Sequence, residues 1–198
     1  MRDYANLSKY LEEIDRTVYT EPKFDYHEAL TDSAMLQFFN GKEFKDVLDV
    51  GFGTGYALNK FKELGMNVTG ISLDDSEVQE MNFIGHNVKK MDMAFLDFPD
   101  SSFDLVWCRH TLEHSVMPFI ALLEFKRVLR KCGYLYVELP ADSGVHIYNM
   151  NHYSLLSDQM WQSLFKKARL TMIFRGQFTI HCADFDDIYW SYWIKNEA

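Results

Sequence analysis

The apolar positions of this 198-residue chain change their period along its length. Near the start, Leu7, Tyr10, Leu11 and Ile14 fall three and four residues apart and share one helical face. Thr31 or Asp32 is placed to cap a second helix running through Phe39. The stretch EPKFDYHE between them is irregular and aromatic. From residue 46 onward, short apolar runs alternate with helical patterns. They predict strands over 46–50, 67–71, 87–91, 103–108 and 134–138, and helices over 55–64, 75–84, 117–131 and 157–168. Pro118 suits a first helical turn, Ser157 suits an N-cap, and Gly133 ends the helix before it. Such alternation implies a parallel sheet with helices on both faces. The end of the chain differs: LTMIF and IYWSYWI read as two strands close in sequence, an antiparallel pair.

Residues Val47 to Tyr56, VLDVGFGTGY, concentrate the chemistry. Val47, Leu48 and Val50 suit a buried strand with Asp49 near its end, and Gly51, Gly53 and Gly55 make the tight turn into the next helix. A strand, a glycine turn and a helix start bring a ligand close to main-chain amides. A phosphate-binding loop needs Gly-Lys-Ser/Thr, which is absent. The dinucleotide pattern needs glycine at 56, where Tyr56 stands. An acid two positions before the first glycine, followed by G-x-G-x-G, resembles motif I of the class I S-adenosylmethionine (SAM) methyltransferases. There the amides meet the carboxylate of the SAM amino-acid tail and the acid meets its ammonium.

The resemblance extends over roughly residues 44–194. FPDSSFDLV (98–106) resembles the family's "LPF-x-D-x-SFD-x-V" segment, and Leu112-Glu113-His114 its "LEH" segment. EFKRVLRKCG (124–133) resembles "E-x-x-RVL+PGG", with Cys132 replacing a glycine. Asn151-His152 and the following SLLSDQMWQSLFKKA resemble "H-x-x-x-S-x-x-x-L-x-x-L". Together these are similar to the small-molecule branch of the family. The resemblance implies a Rossmann-like, doubly wound seven-stranded α/β sheet, mostly parallel, with an antiparallel C-terminal strand. It also implies SAM as cofactor, S-adenosylhomocysteine (SAH) as product and a small-molecule acceptor. The second strand usually ends in an acid for the ribose hydroxyls, but GISLDD puts Ser72 there. That segment, with Leu73, looks like the cyclopropane-fatty-acid synthase relatives, so Glu77 or Asp74 is expected to hold the ribose. Family placement gives Asp92 to the adenine amine and Met93 to the ring face. Phe52 covers the methionine moiety or packs.

Seven histidines invite a metal or acid–base reading. His110-Thr-Leu-Glu113-His114 matches H-x-x-E-H, an inverted zinc-protease pattern. That pattern needs one helix face, whereas FDLVWCR reads as a strand running straight into His110, and no third ligand segment is evident; no metal is expected. If the fold is right, the end of the fourth strand borders the ligand crevice. Arg109 is a candidate for an anionic acceptor, with Tyr148 and Tyr26 as further acceptor contacts. Candidates for a general base are His110, Glu113, His114, His146 and His152. For His114 the structural alternative, a bond to a backbone carbonyl, is favoured. Tyr19, Phe24, Tyr26 and His27 are expected in a helical lid (1–43) over a catalytic core (44–198), in one domain. WCRHTLEH lacks the Asn/Asp-Pro-Pro-Tyr of enzymes that methylate exocyclic amines.

Bulk properties narrow the choice. The net charge of −9, with no basic stripe, argues against a nucleic-acid partner. There is no apolar run of membrane-spanning length and no signal-like start, so no membrane partner is expected. Cys108, Cys132 and Cys182 are odd in number and lack metal spacing, as reduced cytoplasmic thiols do. A monomer or homodimer is expected. Two functions fit: a SAM-dependent small-molecule methyltransferase, and a SAM-binding, degenerate relative serving as a regulatory or interaction module, which Ser72 keeps open.

Overall fold

The structure, a computed structural model, describes residues 5–16, 25–39, 41–181 and 186–197. Two helices lead: α1 (Ala5–Asp15) and α2 (Asp25–Phe39). Then β1 (Asp46–Val50), α3 (Tyr56–Glu63), β2 (Asn67–Ser72), α4 (Asp75–Phe83) and β3 (Val88–Lys90) wind out to one edge of the sheet. The chain returns through β4 (Phe103–Arg109), α5 (Pro118–Val128) and β5 (Leu129–Pro140), then α6 (Asp158–Lys167), β6 (Thr171–His181) and β7 (Asp186–Lys195). The seven strands lie in the order β3-β2-β1-β4-β5-β7-β6, with β7 antiparallel to both neighbours. This is the mostly parallel seven-stranded α/β sheet expected, with its antiparallel pair at the end.

Each face of the sheet buries a different core. Leu48, Val50, Val106 and Val137 pack with Ala121, Leu122 and Phe125 of α5 and Trp161 and Phe165 of α6. The other face is aromatic: Phe38 of α2 and Phe61 of α3 meet Trp107, Tyr136 and Trp193, and Phe38 stacks on Trp193 at 5.0 Å between centroids. Val47, Leu48, Leu105 and Val106 are completely buried, as strands covered on both faces require.

Three expectations need correction. α2 begins at Asp25, so Thr31 and Asp32 lie inside it rather than capping it, and the Thr31 hydroxyl donates to the His27 carbonyl four residues back. α5 stops at Val128 and β5 already begins at Leu129, opposite Phe103. Gly133 therefore sits inside a strand, where it permits a close approach: a Cβ there would lie 2.9 Å from the Arg130 carbonyl and 3.1 Å from that of Asp104. Cys132 beside it is left-handed (φ 63°), so the two residues form an irregular strand entry and not a helix stop. The third strand is shorter than 87–91, covering only Val88–Lys90. Ser157 does cap α6, accepting from the Met160 amide at 3.4 Å.

The winding reverses between β1 and β4, which are neighbours in the sheet. Ligands of doubly wound sheets bind beyond the carboxyl ends of strands at such a point. Asp49 on β1 and Arg109 at the end of β4 both lie there.

Candidate functional site

A cavity of about 710 Å³ opens beyond the carboxyl ends of β1 and β4. One half is built by the glycine turn and β2. Gly51, Gly53 and Gly55 all have positive φ, 70°, 50° and 77°. At Gly51 the need is doubled, because a Cβ would overlap the Thr111 hydroxyl. Gly51, Phe52 and Gly53 line the cavity. Phe52 is also buried with Leu58, Met81 and Val88. Gly55 does not line the cavity, and a Cβ there would lie 2.5 Å from the Met81 sulfur as α3 begins. Asp49 lines the cavity at 2% exposure, and its Oδ2 has no hydrogen-bond partner among the described residues. Burial pushes its carboxyl up to about 7, against a smaller downward pull from Arg109. A buried carboxylate of this kind awaits a cation or a proton.

At the end of β2, Ser72, Leu73, Asp74 and Glu77 also face the cavity. The Ser72 hydroxyl donates to Glu77 Oε2 at 2.7 Å. Asp74 caps α4: its Oδ1 accepts from the amides of Ser76 at 2.7 Å and Glu77 at 3.1 Å. The two candidates for the ribose thus differ, Asp74 being engaged in the cap and Glu77 aimed by Ser72. Met91 and Met93 line the cavity, whereas Asp92 between them does not; its Oδ1 accepts from the Ala94 amide at 2.8 Å.

The other half joins distant parts of the chain. His27, Glu28 and Thr31 of α2 face Arg109, His110 and His114 across the cavity, with Asn151 and Tyr153 beside them. Arg109 lines the cavity with its guanidinium already engaged: its Nε donates to Glu138 Oε1 at 2.9 Å, Nη2 pairs with the same oxygen, and Nη1 reaches Thr31 Oγ1 and the His27 carbonyl. His110 is left-handed (φ 48°); its Nε2 lies 2.9 Å from Glu138 Oε1 and its amide donates to the Glu138 carbonyl. The Tyr136 hydroxyl donates to Glu138 Oε2 at 2.7 Å. Glu138 is 1% exposed, and Arg109 and His110 hold its carboxyl well below the usual range against the cost of burial. Sequence reasoning missed Glu138. The available signal was a lone acid at the carboxyl end of an otherwise apolar strand, YVELP.

The remaining candidates lie off the cavity or serve the scaffold. His114 Nδ1 donates to the Asn151 carbonyl at 2.9 Å while its side chain also lines the cavity. His146 pairs with Asp187, and Asp187 also accepts from the Tyr189 hydroxyl at 2.5 Å. His152 Nδ1 lies 3.1 Å from the His146 carbonyl. Neither His146 nor His152 lines the cavity, and Tyr148 is 83% exposed. Tyr26 packs on His27 at 4.5 Å without lining the cavity. Tyr19, Phe24 and Cys182 lie outside the described residues. His110 follows the end of β4 and Leu112–His114 form a single 3-10 turn, so H-x-x-E-H does not form one helix face. Glu113 is buried behind the site; one potential ligand atom each from Glu113, His114 and His152 lie within 4.8 Å of one another.

Residues 48–137 match the methyltransferase domain family. That match spans a little under half of the chain, and with the strand order and the glycine turn the fold is that of the class I methyltransferases. The chain is 29% identical over 112 residues to 27-O-demethylrifamycin SV methyltransferase of Amycolatopsis mediterranei, a match covering 50% of this chain and spanning only 41% of that relative's length. Among solved structures it resembles a putative methyltransferase in complex with the Haloferax volcanii Trm112 methyltransferase activator, at 18% identity and a TM-score of 0.73, covering all of both chains. It resembles the [4+2]-cyclase SpnF at 18% identity and a TM-score of 0.71, covering 97% of this chain and 93% of that one. At such identities these likenesses speak for the fold. No helix among the described residues is long and apolar enough to cross a membrane.

Proposed function

We propose that this methyltransferase transfers the methyl group of SAM to a hydroxyl-bearing small molecule, with residues 1–43 as lid and 44–198 as catalytic core. The observation that carries the reading is Asp49, a buried carboxylate with an unsatisfied oxygen beside the glycine turn. The SAM ammonium is the cation that fits it, and the turn at Phe52 and Gly53, past the Gly51 amide that donates to the Ile71 carbonyl, suits the carboxylate of the same amino-acid tail. Glu77, steadied by Ser72, is aimed to accept from ribose hydroxyls. Met91 and Met93 offer apolar contact to the adenine.

SAM supplies a methyl on a sulfonium, whose S–C bond breaks as the bond to the acceptor forms, leaving SAH. The chain's contribution is chiefly orientation, which can supply roughly 7–11 kcal/mol. His110 takes the proton that a hydroxyl acceptor loses, an assistance of about 10²–10⁴ in rate. The net charge of −9 disfavours a nucleic-acid acceptor, and the free thiols of Cys108 and Cys132 suit a reducing cytoplasm. The test is titration calorimetry with SAM, followed by SAH release with a panel of hydroxylated small molecules. Binding without SAH formation on any acceptor defeats the catalytic reading; no binding at all defeats both. A second reading, a SAM-binding module acting with a protein partner, is favoured by the likeness to the structure solved with Trm112. Co-expression with a Trm112-type protein, read by co-purification and SAH release, separates the two.

A further inference from the structure

Glu138 is one carboxylate with two kinds of client. Its Oε1 receives Arg109 through Nε and Nη2, and also meets His110 Nε2 at 2.9 Å. Its Oε2 is taken by the Tyr136 hydroxyl. Arg109, 90% removed from water at its side chain, continues past Glu138 to α2 and grips Thr31 Oγ1 and the His27 carbonyl. The groups around this carboxylate are therefore Arg109 at the end of β4, His110 just after it, Tyr136 on its own strand and Ser191 opposite it on β7, with His27 and Thr31 of α2 holding the far side of Arg109. Asp187 and Tyr189 on β7 stand behind His110, whose ring meets that of Tyr189 edge-on at 4.7 Å.

An ionised carboxylate only accepts hydrogen bonds. His110 must therefore carry its proton on Nε2, and in the neutral ring the lone pair is on Nδ1. A carboxylate that fixes a tautomer in this way is the usual orienting partner of a histidine base. The main chain contributes too: the His110 amide donates to the Glu138 carbonyl, and the residue is held left-handed, a costly conformation for a non-glycine residue.

We propose that Glu138 is the positioning residue of the acceptor site: it sets His110 in the tautomer with Nδ1 as the proton acceptor, and through Arg109 it clamps α2 over the same cavity. The proposal rests on the methyltransferase reading for the use of His110, but its test does not require turnover.

The experiment uses full-length protein labelled with ¹⁵N in histidine, at a pH well above the histidine range, and compares wild type with E138Q, E138D and T31V. The His110 signals are assigned by their loss in H110N. Wild type shows the Nε2–H tautomer at His110. In E138Q the amide can present a donor instead, and the His110 shifts move toward the other tautomer or an exchanging mixture. Amide exchange over residues 25–39 accelerates about tenfold, the factor corresponding to one charge-assisted hydrogen bond. E138D keeps the charge for Arg109 but withdraws it by one methylene, which moves the His110 shifts in a variant expected to fold. T31V loosens α2 and leaves the His110 shifts in place. Unchanged His110 shifts in both Glu138 variants overturn the positioning role, and unchanged α2 exchange in E138Q and T31V overturns the clamp. SAM calorimetry on wild type keeps the two readings apart: failure to bind SAM refutes the methyltransferase reading while the shifts and exchange still report on Glu138.

Discussion

The two halves of the cavity are built on opposite principles. The Asp49 half comes from a few short segments, 49–53, 72–77 and 91–93, whose roles follow from local rules: a strand end, a glycine turn, a helix cap. The His110 half draws on residues 27, 31, 109, 110 and 138, brought together by the β4–β5 ladder and the packing of α2. The first half leaves a buried charge unsatisfied, and the second satisfies nearly every charge it buries. A ligand therefore gains most at Asp49, where it completes the electrostatics, and the His110 half contributes a shaped, preorganised wall.

If that contrast holds, the largest effect belongs to Asp49. D49A should weaken SAM binding by about 1.5–3 kcal/mol, the worth of a hydrogen bond to a charged group, and so by roughly ten- to a hundredfold. D49N should do nearly as much harm while preserving shape. Calorimetric affinities equal to wild type in both would remove the asymmetry between the halves.

G51A comes next. The new methyl overlaps Thr111 and the residue keeps φ near 70°, so a loss of about 1–3 kcal/mol of stability is expected. Denaturant unfolding measures it. A variant as stable as wild type would mean that the turn tolerates a side chain after all.

The pH dependence sharpens the same point. Asp49 rises from 3.8 to about 7 on folding. The folded state then holds the extra proton between those values. Its contribution to stability is full below the ordinary carboxylate range and is lost as pH rises through about 7. SAM prefers the ionised form, so its affinity should rise up to about tenfold per pH unit below 7 and level off above it. Glu138 has the opposite sign: its carboxyl is depressed, so its stabilisation is present above the ordinary range and is lost only under strong acid. Calorimetry across pH 5.5–8.5, with D49N as the flat control, separates the two (range chosen to straddle the Asp49 transition).

Legibility in the sequence follows the same division. VLDVGFGTGY announced its strand, turn and helix because each step is local, and Ser72 with Glu77 was visible for the same reason. The junction of α5 and β5 was not. EFKRVLRK has mostly good helix formers before Cys132 and Gly133, and only pairing of Leu129 with Phe103 and the packing of Gly133 against Asp104 turn its last residues into strand. The engagement of Arg109 was hidden for a related reason: its partners, 29 and 78 residues away, exist only in the folded sheet. His146 and His152 lie in a polar loop that suggested contact with an acceptor, yet His146 turns to Asp187 on β7 and His152 bonds within the loop itself.

The smallest effect is expected at His114, and it tests whether a cavity-lining side chain is spent on the scaffold. Its Nδ1 hydrogen bond to the Asn151 carbonyl ties the turn after β4 to the loop after β5, and the Ser154 amide reinforces the tie by donating to the Glu113 carbonyl at 2.9 Å. H114N removes an ordinary neutral hydrogen bond, so a stability loss of about 0.5–1.5 kcal/mol is expected. The Asp49 half is untouched by this change, so SAM affinity should stay near that of wild type. Denaturant unfolding read beside SAM calorimetry decides it. A fully stable H114N that loses SAM binding would transfer His114 from scaffold to site and blur the division between the halves, whereas a modest stability loss with intact binding keeps the acceptor wall structural at this position.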